Sequence, residues 1–304
     1  MVRTDCGQLF DCKVKGNFRL RGLRSTNPVA VGDWVEISPC VDGITALIEN
    51  IHDRRNYIIR KATNLSKQSH IIAANVDQAA LLVTMSHPET STTFIDRFLA
   101  TAEAYRVPVL IIFNKTDLHT PQESSLLQDF LTLYRSMEYE CVAISAFQAT
   151  CGTEDENFFH LRELLTGRTT LLSGNSGVGK STLLNALIPE ADVRTEELSQ
   201  AHDTGMHTTT FSQMFDLPHG GSLIDTPGIR GFGTFDMEPT EVSHYFREIF
   251  RIGQECRFAD CIHTHEPGCA VLQALQEGRI AQSRYTSYLS MLDDKDESKY
   301  RPAY

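Results

Sequence analysis

Gly174-Asn175-Ser176-Gly177-Val178-Gly179-Lys180-Ser181 is the stretch that decides the fold. It satisfies G-x-x-x-x-G-K-[ST], grows out of the apolar run TTLLSG (169–174) and opens the amphipathic stretch 181–187. Strand, glycine-rich loop and helix in that order make a phosphate-binding loop. The glycines let backbone N–H groups converge on phosphate oxygens, and the helix N-terminus adds the positive end of its dipole. In this reading Lys180 reaches the β- and γ-phosphates, Ser181 ligates Mg²⁺ and Thr182 completes the nucleotide-contacting set.

ATPases, kinases and GTPases share such a loop, so the base must be recognised elsewhere. Asn114-Lys115-Thr116-Asp117 follows the strand-like run VPVLIIF (107–113), which puts N-K-x-D at the carboxyl edge of a sheet, where nucleotides bind. A carboxylate at Asp117 accepts from both N1 and N2 of guanine, a pair that adenine does not offer. Lys115 can lie along the base, and Asn114 can tie this loop to the phosphate-binding segment. Ser145-Ala146 closes ECVAISA (140–146) and can present a backbone N–H to guanine O6. Asp225-Thr226-Pro227-Gly228 follows SLI (222–224): Asp225 is expected to hold Mg²⁺ through water, and the Gly228 N–H to contact the γ-phosphate. Within EELSQAHDTGMHTTT (196–210), Thr209 is the expected Mg²⁺ and γ-phosphate ligand, with Thr208 as the alternative. Ile229 stands where many GTPases carry a water-positioning glutamine, so slow intrinsic turnover is expected, and His207 is the candidate to orient water in its place.

The order of these motifs is permuted. Familiar GTPases run phosphate loop, switch threonine, DxxG, NKxD, SA; here NKxD and SA come first. Six apolar runs alternate with helical patterns: AALLVTM (79–85), VPVLIIFNK (107–115), ECVAISA, TTLLSG, TTTFSQMF (208–215) and SLIDTPG (222–228), with helices near Ile95–Tyr105, Ser124–Ser136, Phe158–Leu165 and Ser181–Leu187. Alternation of this kind predicts an α/β domain with a mainly parallel sheet covered on both faces. The runs correspond to the fourth, fifth, sixth, first, second and third strands of the usual fold. Joining old ends and opening new ones is tolerated when both fall in surface loops.

Outside this domain the rhythm differs. Up to about residue 70, short alternations (FDCKVKG, FRLRG, WVEI, ITALIENI) are broken by turn residues, which predicts a small all-β barrel of the OB type, suited to oligonucleotides. Trp34, the only tryptophan, is either a stacking platform for a base or a core residue; flanking Val31, Val35 and Ile37 favour the core. After Gly233 the pattern is helical around Cys256, Cys261, His263 and Cys269, spaced C-x4-C-x-H-x5-C. Three thiolates and one imidazole suit a closed, structural Zn²⁺ site, with His265 as a spare ligand. The last residues, DDKDESKYRPAY (293–304), read as disordered. The expected division is therefore 1–70, 71–233 and 234–304.

Across 304 residues, 28 Lys and Arg face 39 Asp and Glu, but the balance is uneven. Residues 1–70 carry eleven basic against seven acidic residues, so an RNA-binding surface is expected to include this segment, and residues 234–304, with eight against twelve, to add little. The first residues lack an apolar signal core, and no stretch approaches the roughly 18 apolar residues of a membrane span, which predicts a cytoplasmic protein whose eight cysteines are thiols or metal ligands.

A basic β-barrel, AANVDQ (73–78), NKTD, SGNSGVGKSTLLN (173–185), GMHTTT (205–210), DTPGIRGFG (225–233) and CRFADCIHTHEPGC (256–269), in this order, resemble the RsgA (YjeQ/YloQ) family of small-ribosomal-subunit biogenesis GTPases. The resemblance implies an OB-fold, a circularly permuted GTPase domain and a helical zinc domain, with GTP/GDP, Mg²⁺ and one structural Zn²⁺. It further implies action in late maturation of the small (30S) subunit; a monomer away from membranes is expected. Such a protein binds the 16S rRNA near the decoding region, and subunit-stimulated hydrolysis releases it.

Overall fold

The computed structural model describes residues 1–15, 28–61, 69–191, 212–226 and 237–293. Its N-terminal unit is a curled four-stranded sheet, β1 (Val2–Arg3), β2 (Leu9–Val14), β3 (Val35–Pro39) and β4 (Thr45–Ile51), in the order β1-β2-β4-β3. Strands β2 and β4 run parallel, and the other pairs antiparallel. Phe10, Ala46 and Ile48 are buried on its inner face. The stretch FRLRG (18–22) lies outside the described residues. A buried pair, Arg54 on Asp33 at 2.6 Å, pins the entry to β3, and Arg54 Nη2 also donates to the Pro28 carbonyl at 3.0 Å. Trp34 corrects the sequence expectation: it is 66% exposed. Its neighbours Val35 and Ile37 do turn inward, and the two-residue period of a strand therefore turns Trp34 and Glu36 outward.

A hairpin, β5 (Tyr57–Lys61) with β6 (Ser69–Ala74), links this unit to the next. The expected boundary near residue 70 falls within β6. Ile58, Ile72 and Ala73 pack into the core of the central domain, and Gly32, with φ +90°, lies so close to the Ala74 carbonyl that no side chain fits there.

The central sheet holds β7 (Gln78–Val83), β8 (Val109–Phe113), β9 (Glu140–Ala143), β10 (Thr169–Ser173), β11 (Gln213–Asp216) and β12 (Ser222–Asp225) in the order β11-β12-β10-β7-β8-β9, parallel except for β11. Written with the expected correspondence, that order is 2-3-1-4-5-6. All of β7 and β8 is buried, as strands covered on both faces require. One face is covered by α1 (Thr92–Ala104) and α2 (Pro121–Ser136), the other by α3 (Ala146–Thr150), α4 (Glu156–Leu165) and α5 (Lys180–Leu187). Three of these helices start earlier than their apolar pattern, because polar caps begin them: Ser91 for α1, Thr120 with Glu123 in a capping box for α2, and Asp155 for α4.

The described C-terminal residues form α6 (Pro239–Val242), α7 (Arg247–Gly253), α8 (Ala270–Gln276) and α9 (Gln282–Leu292) around a third core. Helix α9 lies on α1 through an ionic seam. Arg284, 1% exposed, donates to Asp96 at 2.8 Å and to Glu248 at 2.7 and 3.1 Å; Tyr134 and Ser287 donate to the same Asp96 at 3.0 and 2.6 Å. Arg247 adds a 2.6 Å bond to Glu103 and stands over the Tyr139 ring. No described helix is long and apolar enough to cross a membrane. Residues 294–304 lie outside the description.

Candidate functional site

The loops that follow β7, β8, β9, β10 and β12 all leave the carboxyl edge of the sheet, so residues far apart in sequence converge there. The loop after β10 needs its glycines. Gly174, Gly177 and Gly179 have φ of +148°, +79° and +98°, and a Cβ on Gly174 or Gly179 would collide with the Leu82 carbonyl or the Asn114 amide. Val178 is fully buried in the core beneath and anchors the loop, while Ser176 and Gly177 form its exposed rim beside Asn175. Lys180 opens α5 and folds back over the loop, donating to the carbonyls of Gly174 and Asn175 at 2.8 Å each. Ser181 and Thr182 follow, both half-buried in the first turn of α5.

Asn114 joins three motifs. Its Nδ2 donates to the Val178 carbonyl at 2.9 Å and its Oδ1 accepts from the Ala146 N–H at 2.9 Å, so one buried amide links N-K-x-D, the phosphate-binding loop and Ser-Ala. Asp117 accepts from the Ser145 hydroxyl at 2.5 Å, and that hydroxyl in turn caps α3 by accepting from the Gln148 N–H. Lys115, in the left-handed region at φ +65°, donates to the His87 carbonyl at 2.6 Å. The loop carrying His87 has no motif, and sequence reasoning missed it. Pro88 supports the underside of Gly177, and Ser86 reaches Glu123. The Thr120 N–H first, then the Ser86 and Thr120 hydroxyls, hold the Glu123 carboxyl down at about 2.

Asp225 ends β12 with its Oδ1 buried and, among the described residues, without a hydrogen-bond partner. Burial pushes its pKa up, and Lys180 pulls it down. A buried carboxylate oxygen left over within the field of Lys180 fits a hard cation that takes oxygen ligands, as Mg²⁺ does. His207, Thr208, Thr209, Gly228 and Ile229 lie outside the described residues.

The second cluster is local. The ligand atoms of Cys256, Cys261, His263 and Cys269 all lie within 4.8 Å of one another. Cys256 and Cys269 Sγ are 3.8 Å apart, and His263 Nδ1 is 3.6 and 3.4 Å from them. Thiolates about 2.3 Å from a tetrahedral zinc would stand about 3.8 Å apart, so the donors fit that ion. Burial lowers the pKa of His263, which favours the neutral imidazole that binds metal. His265 is not among the four; it is exposed, with Nδ1 on the Thr264 hydroxyl. Support that the motif did not reveal comes from Glu266, which accepts the N–H groups of Ile262, Thr264 and His265, and from Tyr285 and Tyr288, which donate to the His263 and Ile262 carbonyls.

Comparison with known proteins gives the family. The family model described as the RsgA GTPase matches residues 51–235, and that of the RsgA N-terminal domain matches residues 2–46. A relative from Bacteroides fragilis, named small ribosomal subunit biogenesis GTPase RsgA, is 60% identical over 303 residues, spanning 100% of this chain and 96% of its own. One of the same name from Porphyromonas gingivalis is 58% identical over 308 residues, with the same coverage. Of the solved structures, YjeQ from Thermotoga maritima matches with a TM-score of 0.72 at 35% identity, over 95% of this chain and 90% of that one. YloQ, titled a circularly permuted GTPase, matches with a TM-score of 0.68 at 28% identity, over 99% and 90%.

Proposed function

The chain belongs to the RsgA family of GTPases, and from that premise we propose that it hydrolyses GTP in late maturation of the small ribosomal subunit, as a cytoplasmic monomer that binds 16S rRNA. The relatives' printed names support the subunit as target. The observation that carries the nucleotide reading is the Asn114 bridge, because only a protein that reads base and phosphates together has reason to lock those loops into one unit. The Ala146 N–H, expected to face O6, is given to Asn114 Oδ1 instead, so Asp117, oriented by Ser145, carries the base by accepting guanine N1–H and N2–H; the N–H groups of residues 174–182 and Lys180 hold the phosphates. Ser181 would hold Mg²⁺, with Asp225 acting through water and Thr209 as a third ligand, and the ion would supply neutralisation of phosphate charge. His207 orients the attacking water, whose oxygen bonds to Pγ as the bond between Pγ and the β–γ bridging oxygen breaks; the Gly228 N–H steadies the γ-phosphate, the water's proton passes to the phosphate released, and GDP and phosphate leave. The Cys256, Cys261, His263 and Cys269 set would hold one structural Zn²⁺.

Three working units, 1–70, 71–233 and 234–304, divide the labour: RNA contact, GTP cycle and zinc-braced docking. Hydrolysis is stimulated by the subunit and releases the protein from it. The test is GTP turnover with and without isolated small subunits. A rise confined to small subunits is expected, and equal turnover with large subunits or free tRNA would reject this target.

A further inference from the structure

The GTP cycle uses nothing on the outer face of the N-terminal sheet, yet the chain's only tryptophan is displayed there. A tryptophan that packs in a core removes roughly 150–250 Å² from water, and Trp34 forgoes most of that gain at 66% exposure. The pairing register gives its companions. Val35 faces Ile51 and Glu36 faces Asn50, so the outward set at this end is Trp34, just before β3, and Glu36 on it, with Asn50 on β4 and His52 just after that strand; His52 N donates to the Trp34 carbonyl at 2.9 Å. Asn50 Nδ2 donates to Glu36 at 3.3 Å, and His52 Nε2 lies 3.5 Å from the same carboxylate. An exposed indole thus stands beside an amide and an imidazole that both meet one carboxylate. Farther along the same face, Leu47 and Lys13 are paired across β4 and β2, with Lys15 beyond and 4.0 Å from Glu49.

We propose that this outer face is a platform for unpaired RNA, on which one base stacks against Trp34, its edge within reach of Asn50 and His52, while Lys13 and Lys15 take the phosphates. The proposal rests on the RNA-directed reading above and names the residues that would carry it. An aromatic ring attracts any base through its π face, and flanking cations supply the salt-dependent remainder. Charge agrees: residues 1–70 carry eleven basic and seven acidic residues in a chain that is otherwise strongly acidic. A duplex cannot use such a platform, because its bases are already stacked on one another.

Trp34 is its own reporter. Titration of the full chain with a single-stranded oligoribonucleotide of about 12 nucleotides, inside the ~4–16 that one such sheet covers, should quench its fluorescence, and a duplex of the same sequence should not. Measured with labelled oligonucleotide, Trp34→Ala should weaken binding roughly 5- to 150-fold and Trp34→Phe far less, with GTP turnover in the absence of RNA unchanged. Lys13→Ala should instead flatten the salt dependence by about one phosphate. Small-subunit association is followed in parallel by sedimentation. If Trp34→Ala binds oligonucleotide as well as the parent does, or the parent binds it without quenching, the platform is wrong while RNA binding stands. If Trp34→Ala loses subunit association but keeps oligonucleotide affinity, Trp34 meets a protein and the proposal is overturned. If the parent binds neither oligonucleotide nor subunit, the RNA-directed reading itself has failed.

Discussion

The two sites of this protein are built in opposite ways. The nucleotide edge draws Asn114, Lys115, Asp117, Ser145, Ala146, residues 174–182 and Asp225 from the ends of four strands, all hung on a sheet whose core is complete beneath them. The cysteine-histidine knot draws all four ligands from residues 256–269, and two of them, Cys261 and Cys269, are themselves members of the hydrophobic core of the C-terminal unit. A site laid on a finished scaffold can lose a residue and keep the fold. One that is part of its own core cannot. The contrast predicts how stability divides between them, beginning with the largest effect.

Cys261→Ser should abolish the site, taking zinc from one per chain to none. Structural zinc contributes about 10–16 kcal/mol in small zinc domains, more than the small third core can replace. Elemental analysis together with calorimetry is the measurement, and the C-terminal unit is expected to melt separately and earlier than the sheet. A single transition at the parental temperature would break the contrast.

The next effect tests the seam between the two regions. Asp96→Ala removes a carboxylate that Arg284, Tyr134 and Ser287 all use, leaving a guanidinium at 1% exposure with Glu248 alone. Breaking a buried pair in this way costs about 3–5 kcal/mol, to be read from urea unfolding. A loss under about 1 kcal/mol would mean that α9 is not tied to α1 through this network.

How much of this was legible beforehand follows the same division. Both candidate sites could be proposed from the sequence because the chemistry expected of them asks for particular residues at short spacings: glycines where backbone would approach phosphate, a carboxylate at Asp117 to accept from guanine, and three cysteines and a histidine between 256 and 269. Motif order alone assigned each of the six strands its counterpart in the usual fold, while their order across the sheet came from the structure. The seam could not, since Asp96 and Arg284 are 188 positions apart and a buried arginine on α9 has the spacing of a solvated one. The loop at His87 offers a carbonyl, a proline ring and one serine hydroxyl, which carry no sequence signal. Trp34 was misjudged because its apolar neighbours were counted without their phase: at period two, Val35 and Ile37 mark the opposite face.

A comparable effect is expected where the nucleotide edge does touch the core. Asn114→Ala orphans the Val178 carbonyl and the Ala146 N–H, at about 1–3 kcal/mol for each group left unpaired, and should weaken GTP binding as well because three motifs lose their common tie. Thermal unfolding and nucleotide titration on the same variant test both halves. Weakened binding with no loss of stability would show that the bridge is dispensable to the fold.

The smallest structural effect belongs to Asp117, and it sharpens the comparison most. Its side chain is exposed, and its one described bond is accepted from the Ser145 hydroxyl through Oδ1. Asparagine keeps an oxygen for that bond, so Asp117→Asn should change stability by no more than about 0.5 kcal/mol, as exposed substitutions do. The second carboxylate oxygen, however, becomes an NH₂ group. That group cannot accept from guanine N1 and N2, and it meets the N2 donor of guanine head-on; xanthine carries a carbonyl at the same carbon, which the amide can satisfy. The variant should therefore lose GTP affinity and gain affinity for xanthosine triphosphate, by roughly 10-fold or more for one unpaired donor set in a specific site. Competition titration against the two nucleotides measures it. Undiminished GTP affinity would remove Asp117 from the base site, and a large drop in melting temperature would show that this loop, like the knot, supports the fold it sits on.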